Sequence, residues 1–158
     1  IKIAAVVGFP LGAMSTKAKI FEAVDCIENG ADEIDMVINV GWLKSGMYDA
    51  VRNEIKAVKE AIRNNILKVI IETCYLTDKE KEKACKLALA ANADYVKTST
   101  GFGTGGATFD DVKLMKRIVG GNTRIKASGG VKDKETAIQY IELGVSRIGT
   151  SSGPSLIK

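Results

Sequence analysis

The chain has 158 residues, of which 46% are hydrophobic, so it is long enough to bury one substantial core. Its net charge is +4, but 23 basic residues are interspersed with 19 acidic ones, and this mixed pattern argues against a nucleic-acid partner. The apolar runs, of which residues 69–71 are typical, are far too short to cross a bilayer, and the first residues do not resemble a signal peptide, so no membrane partner is expected.

Short apolar runs alternate with longer amphipathic stretches, which predicts a single domain of strands and helices over residues 1–158. The predicted strands lie at 3–7, 33–39, 67–73, 94–99, 124–127 and 146–150. The predicted helices lie at 15–29, 47–62, 77–91, 108–119 and 133–143, and a short last helix begins near 152–154. In the helix at 47–62, for example, Val51, Ile55 and Val58 share one face.

Three similar segments, at 30–34, 92–96 and 144–148, each end a predicted helix and enter a strand. Each begins with glycine or asparagine, the residues that favour the left-handed conformation at the end of a helix. The repeat of strand and helix predicts a parallel sheet covered by helices. Six such units fit either an open doubly wound sheet or a (β/α)8 TIM barrel, for which 158 residues is short.

The cysteines and the lack of histidine limit the chemistry. The three cysteines, Cys26, Cys74 and Cys85, stand alone, which argues against a disulfide framework and favours a reducing cytoplasm. Since the sequence has no histidine and no cysteine pair, we expect no metal site. Proton transfer near neutral pH is then expected to use lysine, carboxylate, tyrosine, cysteine or water.

Charged residues recur on one face of the predicted strands. Side chains alternate between the two faces of a strand, and the charged face holds Asp35, Lys68, Glu72, Lys97, Lys126 and Arg147. A sheet covered by helices on both faces favours strands that are apolar throughout, so these charges favour a barrel whose interior opens into a site. One such charge is most simply a structural ion pair, but the same pattern on five strands favours a functional use.

Lys97 and Lys126 lie on consecutive predicted strands, which stand about 4.8 Å apart when they are neighbours. Two ammonium groups ~4 Å apart at an effective dielectric of ~20 repel by about 4 kcal/mol, equivalent to roughly three pKa units. Such repulsion brings the pKa of a lysine toward neutrality, and a neutral lysine forms Schiff bases with carbonyl compounds. The alternative is a static ion pair of Lys97 with Asp35 or Glu72, and the spacing leaves both readings open.

Three glycine-containing segments follow late strands, at 99–106, 128–130 and 151–153. Backbone N–H groups at glycines approach an anion closely, and a helix N-terminus adds partial positive charge. Because the last loops of a barrel often bind phosphate, the three segments together predict one phosphate site at the C-terminal ends of the strands. The alternatives are ordinary turns or a dinucleotide-binding loop, but Gly101 and Gly103 match the latter only loosely.

Six segments resemble the deoxyribose-phosphate aldolase family. They are VVGFPLGA (6–13), GADEIDMVINVG (30–41), LKVIIETCYL (67–76), DYVKTSTGFGTGGAT (94–108), KASGGV (126–131) and RIGTSSG (147–153). They run in the family's order and cover nearly the whole chain, and VKTSTGF together with KASGG is highly specific. The resemblance implies a class I aldolase with a (β/α)8 barrel and no cofactor. Such an enzyme reversibly cleaves 2-deoxy-D-ribose 5-phosphate to D-glyceraldehyde 3-phosphate and acetaldehyde, in deoxyribonucleotide catabolism.

The resemblance also implies roles, position by position. Lys97 resembles the Schiff-base lysine, and Lys126 resembles the second lysine, which perturbs the first and helps to move protons. Asp35 resembles the acid-base carboxylate of the proton relay, and Lys68 resembles a further active-site lysine. The residues that resemble substrate or phosphate contacts are Thr100, Gly101, Gly129, Gly130, Ser151 and Ser152.

The front of the chain departs from the family pattern. The family begins with two β-α units that carry an Asp-His-Thr-like strand and a cysteine-containing strand, whereas this chain opens with Ile1 at what resembles the third strand. We therefore expect about six of the eight β-α units, with the first and last strands not paired to each other. A homodimer is a further expectation. An aldolase is the leading hypothesis; the alternatives are an inactive fragment that binds without turnover and another phosphate-binding α/β protein.

Overall fold

The computed structural model describes residues 1–157, in which strands and helices alternate. The strands are β1 (Ala4–Val7), β2 (Glu33–Val37), β3 (Ile66–Ile70), β4 (Tyr95–Lys97), β5 (Arg124–Ser128) and β6 (Arg147–Gly149). The helices are α1 (Thr16–Glu28), α2 (Val40–Lys44), α3 (Tyr48–Ala61), α4 (Asp78–Ala90), α5 (Phe109–Val119), α6 (Lys134–Glu142) and α7 (Gly153–Leu156). Every predicted strand and helix is present, with ends that differ by a few residues. No helix in this range has the length and apolar character needed to span a bilayer.

The six strands form one parallel sheet in the order β1-β2-β3-β4-β5-β6. The order follows the chain without the reversal that defines a doubly wound sheet, so that alternative is wrong. A flat sheet would separate β2 from β6 by about 19 Å, at ~4.8 Å per strand. Arg147 on β6 nevertheless donates a hydrogen bond to Glu33 on β2 at 3.0 Å. The sheet is therefore strongly curled, and one face of each strand is turned toward a common interior.

β1 and β6 form the two edges of the curled sheet. Within residues 1–157, β1 pairs with β2 and β6 pairs with β5, and no ladder joins the two edges. This agrees with the expectation that the first and last strands are not hydrogen-bonded to each other. Near the β1 edge, the side chains of Ile3 and Val6 are 60% and 43% exposed, so no described part of the chain covers them.

The hydrophobic core lies between the outer face of the sheet and the helices. Ile34 of β2 is fully buried, as are Val51, Ile55 and Val58 on the inward face of α3. The next residue of β2, Asp35, points the opposite way, into the curl. The fold therefore separates an apolar outer layer from a charged inner face, as the alternation along the strands predicted.

Two short elements are present that the sequence pattern does not predict. Helix α2 has five residues, too few to show a helical period, and the Asn39 side chain begins it by accepting a hydrogen bond from Trp42 N–H at 3.0 Å. A 3₁₀ turn at Thr73–Tyr75 follows Glu72, whose φ of +55° lies in the left-handed region. Both elements directly follow the C-terminal ends of strands, beside the interior charges.

Candidate active site

Asp35 lies at the centre of the interior charges. Its carboxylate accepts hydrogen bonds from lysines on three other strands. Lys68 of β3 lies 2.6 Å from Oδ1, while Lys97 of β4 and Lys126 of β5 lie 2.8 and 2.7 Å from Oδ2. The strand register explains the cluster, because Asp35 is paired with Lys68 and Lys97 is paired with Lys126. The fold thus brings the four predicted catalytic candidates together at one carboxylate.

The charge on Asp35 is fixed by its lysine neighbours. Burial alone would raise the pKa of this carboxyl, which is 2% exposed. The positive charges of Lys97 and Lys126, with hydrogen bonds from Lys126 and Lys68, more than offset burial and hold the pKa of Asp35 well below its ordinary range. Asp35 is therefore a carboxylate at neutral pH, and it neutralises the lysines around it.

Lys126 has the properties of a proton acceptor. Burial lowers the pKa of its ammonium group, and the charge of Lys97 lowers it further, while Asp35 opposes both effects. A lowered pKa increases the fraction of neutral amine at any given pH. A neutral lysine amine accepts protons and attacks carbonyl groups.

Lys97 combines an ion pair with access to open space. Of the two static partners that the spacing allowed, Asp35 is the one that Lys97 contacts, whereas Glu72 binds Thr100 instead. Lys97 nevertheless lines a cavity that Lys126 also lines. The fully buried Lys68 does not line this cavity. Lys97 and Lys126 are thus the members of the cluster that a ligand in the cavity would meet.

That cavity has a volume of about 340 Å³ and lies at the C-terminal ends of β4, β5 and β6. The predicted substrate and phosphate contacts that line it are Thr100, Gly101, Gly129, Gly130 and Ser151. Ser152 is not part of the lining, and its backbone N–H donates to the Thr150 hydroxyl at 2.9 Å. All three glycine segments therefore border one cavity, and of the predicted contacts only Ser152 does not line it.

The glycine loops hold unpaired backbone donors. Gly101, Gly129 and Gly130 have φ of +90°, +85° and +82°, a region that disfavours residues with a Cβ. Among the hydrogen bonds within residues 1–157, none uses the N–H of these three glycines as donor. The loops also pack closely, since a Cβ on Gly106 would clash with the Gly129 carbonyl oxygen. Such free N–H groups in turn conformations are what an anion binds.

Thr100 forms its hydrogen bonds within the protein. Its backbone N–H donates to Glu72 Oε1 at 3.1 Å, and its hydroxyl donates to the other oxygen of the same carboxylate. The hydroxyl also accepts a hydrogen bond from Phe102 N–H at 3.0 Å. The hydroxyl proton of Thr100 is therefore not available to a substrate, and the residue acts first as the anchor of its loop.

Glu33 is an interior charge that was not singled out from the sequence. Its carboxylate is 1% exposed and contacts Lys68 at 2.6 Å and Arg147 at 3.0 Å. Glu33 lies two positions before Asp35, so the two carboxylates share one face of β2. The alternation that identified Asp35 is therefore a signal that also identifies Glu33.

The chemistry available in the cavity is that of amines, hydroxyls and backbone amides. Within residues 1–157, no group of three or more histidine, cysteine, aspartate or glutamate side chains is placed to hold a metal ion. The cavity is lined by two lysines and by glycines whose N–H groups have no partner among the described residues. This combination suits a small carbonyl compound that carries an anionic group.

The chain belongs to the family described as DeoC/LacD family aldolase, whose sequence profile matches residues 2–153. The deoxyribose-phosphate aldolase of Brevibacillus brevis is 58% identical over 157 residues, covering 99% of this chain and 71% of that protein. The deoxyribose-phosphate aldolase of Thermococcus kodakarensis is 55% identical over 160 residues, covering 100% of this chain and 71% of that protein. The family resemblance predicted from the six segments is therefore confirmed.

Solved structures support the same conclusion about the fold. The structure described as "QR15, an Aldolase" matches with a TM-score of 0.96 and 46% identity, covering 99% of this chain and 71% of that one. The deoxyribose-phosphate aldolase of Aeropyrum pernix, described as having a unique tetrameric structure, matches with a TM-score of 0.88 and 31% identity, covering 99% and 67%. The curled parallel sheet is thus the aldolase fold over the length that the chain shares with these proteins.

Proposed function

We propose that the protein is a deoxyribose-phosphate aldolase, which cleaves 2-deoxy-D-ribose 5-phosphate reversibly into D-glyceraldehyde 3-phosphate and acetaldehyde through a lysine Schiff base. The observation that carries the proposal is the contact of Lys97 and Lys126, from adjacent strands, with one oxygen of Asp35 beside a cavity. Relatives named deoxyribose-phosphate aldolase, at 58% identity, support it independently.

Lys97 is the nucleophile in this proposal. Its neutral amine attacks the C1 aldehyde of the open-chain sugar, and loss of water gives a protonated Schiff base. The carboxylate of Asp35, 2.8 Å from the Lys97 nitrogen, stabilises the positive charge that this step places there. Lys126 shares the same carboxylate oxygen, and its lowered pKa suits it to accept and return protons.

Cleavage follows from the charge on the Schiff base. A base removes the proton of the C3 hydroxyl, the bond between C2 and C3 breaks, and its electrons move toward the positive nitrogen. Glyceraldehyde 3-phosphate leaves with a new carbonyl at C3, while the C1–C2 unit stays on Lys97 as an enamine. Protonation of C2 and addition of water then release acetaldehyde and regenerate the amine.

The phosphate is proposed to bind at the glycine loops that line the cavity, where Gly101, Gly129 and Gly130 carry unpaired N–H groups. Phosphate bound there would orient the sugar with its aldehyde toward Lys97. This gives the loops a role in substrate choice, because a sugar without phosphate gains nothing from them.

Ser151→Glu tests the phosphate site. Ser151 is exposed and lines the cavity, so a carboxylate there repels a phosphate while both lysine side chains stay in place. We expect KM for the phosphosugar to rise at least about tenfold, because like charges ~5 Å apart repel by several kcal/mol before solvent screening. Turnover of 2-deoxyribose, which lacks the phosphate, is expected to change less than about twofold in the same enzyme assay.

Ser45→Glu is the matched control, because Ser45 is also an exposed serine and lies at the end of α2, outside the cavity. The control is expected to leave both substrates unaffected. An equal loss of activity toward both substrates in Ser151→Glu would contradict a phosphate site at these loops.

The complete barrel, the cellular compartment and the assembly of the enzyme are further parts of the proposal. The curl of the sheet, which brings Arg147 of β6 to Glu33 of β2, supports a (β/α)8 barrel of which this chain supplies about six units. The free thiols Cys26, Cys74 and Cys85 fit a reducing cytoplasm. A homodimer is proposed as the assembly, and sedimentation of the purified protein tests it.

A further inference from the structure

The interior charges continue beyond the cluster at Asp35. Glu33, on the same face of β2, holds the guanidinium of Arg147 through two hydrogen bonds, at 3.0 and 3.3 Å. The same Glu33 carboxylate contacts Lys68 Nζ at 2.6 Å. Charges of alternating sign therefore run from β6 across the interior to Asp35. We name the four residues in this series the interior ladder: Arg147, Glu33, Lys68 and Asp35.

Lys68 is the shared rung of the ladder. Its side chain is 0% exposed, and its nitrogen lies 2.6 Å from Glu33 and 2.6 Å from Asp35. A buried ammonium group needs compensating negative charge, and here two carboxylates supply it together. The more strongly Glu33 holds Lys68, the less of that charge acts on Asp35. Arg147 also binds Glu33, so it weakens the hold of Glu33 on Lys68.

We propose that Glu33 and Arg147 are positioning residues of the aldolase site, which act through Lys68 to set the orientation of Asp35 and the electrostatic field around Lys97 and Lys126. The inference rests on the proposed function. Neither Glu33 nor Arg147 lines the cavity, so neither is expected to touch the substrate.

The signs of the effects follow from the charges that surround Asp35. The groups that face it along the interior are Lys68 of β3, Lys97 of β4, Lys126 of β5 and, through Glu33 of its own strand, Arg147 of β6. Removing the negative charge of Glu33 leaves excess positive charge, which disfavours protonated lysine. Removing the positive charge of Arg147 has the opposite effect. The Arg147 side chain is 39% exposed, so solvent makes its effect the smaller one.

Two neutral variants, Glu33→Gln and Arg147→Met, test the inference in the enzyme expressed from its natural gene. The readout is the low-pH limb of kcat/KM, which reports the lysines that must lose a proton. Glu33→Gln is expected to move this limb to lower pH by at least about half a unit. Arg147→Met is expected to move it to higher pH by a smaller amount. In Glu33→Gln we expect kcat to fall about tenfold, with KM for the phosphosugar within about twofold of wild type.

Opposite shifts distinguish positioning from support of the fold, because a loss of structure lowers activity without moving the limb in two directions. Arg147→Lys keeps the charge and is expected to restore the wild-type limb. Glu54→Gln is the matched control for a buried acid, since Glu54 pairs with Lys19 between the helices and the sheet and faces none of these lysines. It is expected to leave the limb in place.

The inference is overturned if the limb stays within error of wild type in both variants, or moves in the same direction in both. If Glu33→Gln does not fold, Arg147→Met decides: a shift to higher pH supports the inference and an unmoved limb overturns it. Absence of aldolase activity in the wild-type enzyme would contradict the proposed function. An active wild type, with the low-pH limb unchanged in both variants, would contradict only the role of the interior ladder.

Discussion

Replacing Lys97 with methionine is expected to lower kcat/KM for 2-deoxyribose 5-phosphate by at least about 10⁴-fold, because the proposed covalent intermediate forms on the Lys97 amine. The remaining activity should not depend on a Schiff base. Lys126 is the nearest amine and also contacts Asp35, at 2.7 Å, but its proposed task is to move protons. The measurement is steady-state kinetics of the purified variant at several pH values.

Lys81→Met is the matched control for this loss. The side chains of Lys81 and Lys97 are similarly inaccessible, at 13% and 8% exposure, and each pairs with an aspartate. Lys81 contacts Asp111 on the outside of the sheet, away from the cavity. We expect Lys81→Met to lose some stability and to keep its kcat. Comparable activity in Lys97→Met and wild type would remove Lys97 from the mechanism.

Asp35→Asn is expected to lower kcat by about 10²- to 10³-fold, the usual range for the loss of one group that stabilises developing charge. The amide keeps the shape of the side chain but no longer neutralises Lys68, Lys97 and Lys126. The variant is also expected to lose about 3 kcal/mol of unfolding free energy at neutral pH, because buried ammonium groups lose their common counter-ion.

The pH dependence of this stability loss has a definite sign. The folded-state pKa of Asp35 lies below its ordinary value of 3.8, so its contribution to stability is complete above that value and is lost as the pH falls. Denaturant unfolding of wild type and Asp35→Asn should therefore differ most near neutral pH and converge under acid. Asp94→Asn, which loses the contact of Asp94 with Lys59 at 2.6 Å outside the site, is the control and should keep its kcat. A stability gap that widened under acid would contradict the charged state assigned to Asp35.

Much of the site was predictable because strands impose a period of two. Asp35, Lys68 and Lys126 each stand between two apolar residues, and Lys97 follows Val96, so the alternation places all four on the inner face. Their meeting at one carboxylate also depends on register, which pairs Asp35 with Lys68 and Lys97 with Lys126. The apolar alternation favours this register, because a slip of one residue would turn the charges into the core.

The features of the site and fold that the sequence did not predict depend mainly on contacts between residues far apart in the sequence. The bond from Arg147 to Glu33 joins residues 114 positions apart, and only the curl of the sheet brings them together. Thr100 resembled a substrate contact, but its hydroxyl donates a hydrogen bond to Glu72, which follows a different strand. Helix α2 was not predicted, because a five-residue segment is too short to show a helical period. Such features follow from tertiary packing more than from local pattern.

Reductive trapping of the Schiff base tests whether Lys97 is the nucleophile. The protein is incubated with acetaldehyde and sodium borohydride, digested, and mapped by mass spectrometry, with Lys97→Met treated in parallel. We expect an ethyl group on Lys97 at near-stoichiometric yield, absent from that site in the variant. Protein modified only at a different lysine, or left unmodified as expected of a phosphate-binding chain with structural lysines, would contradict it.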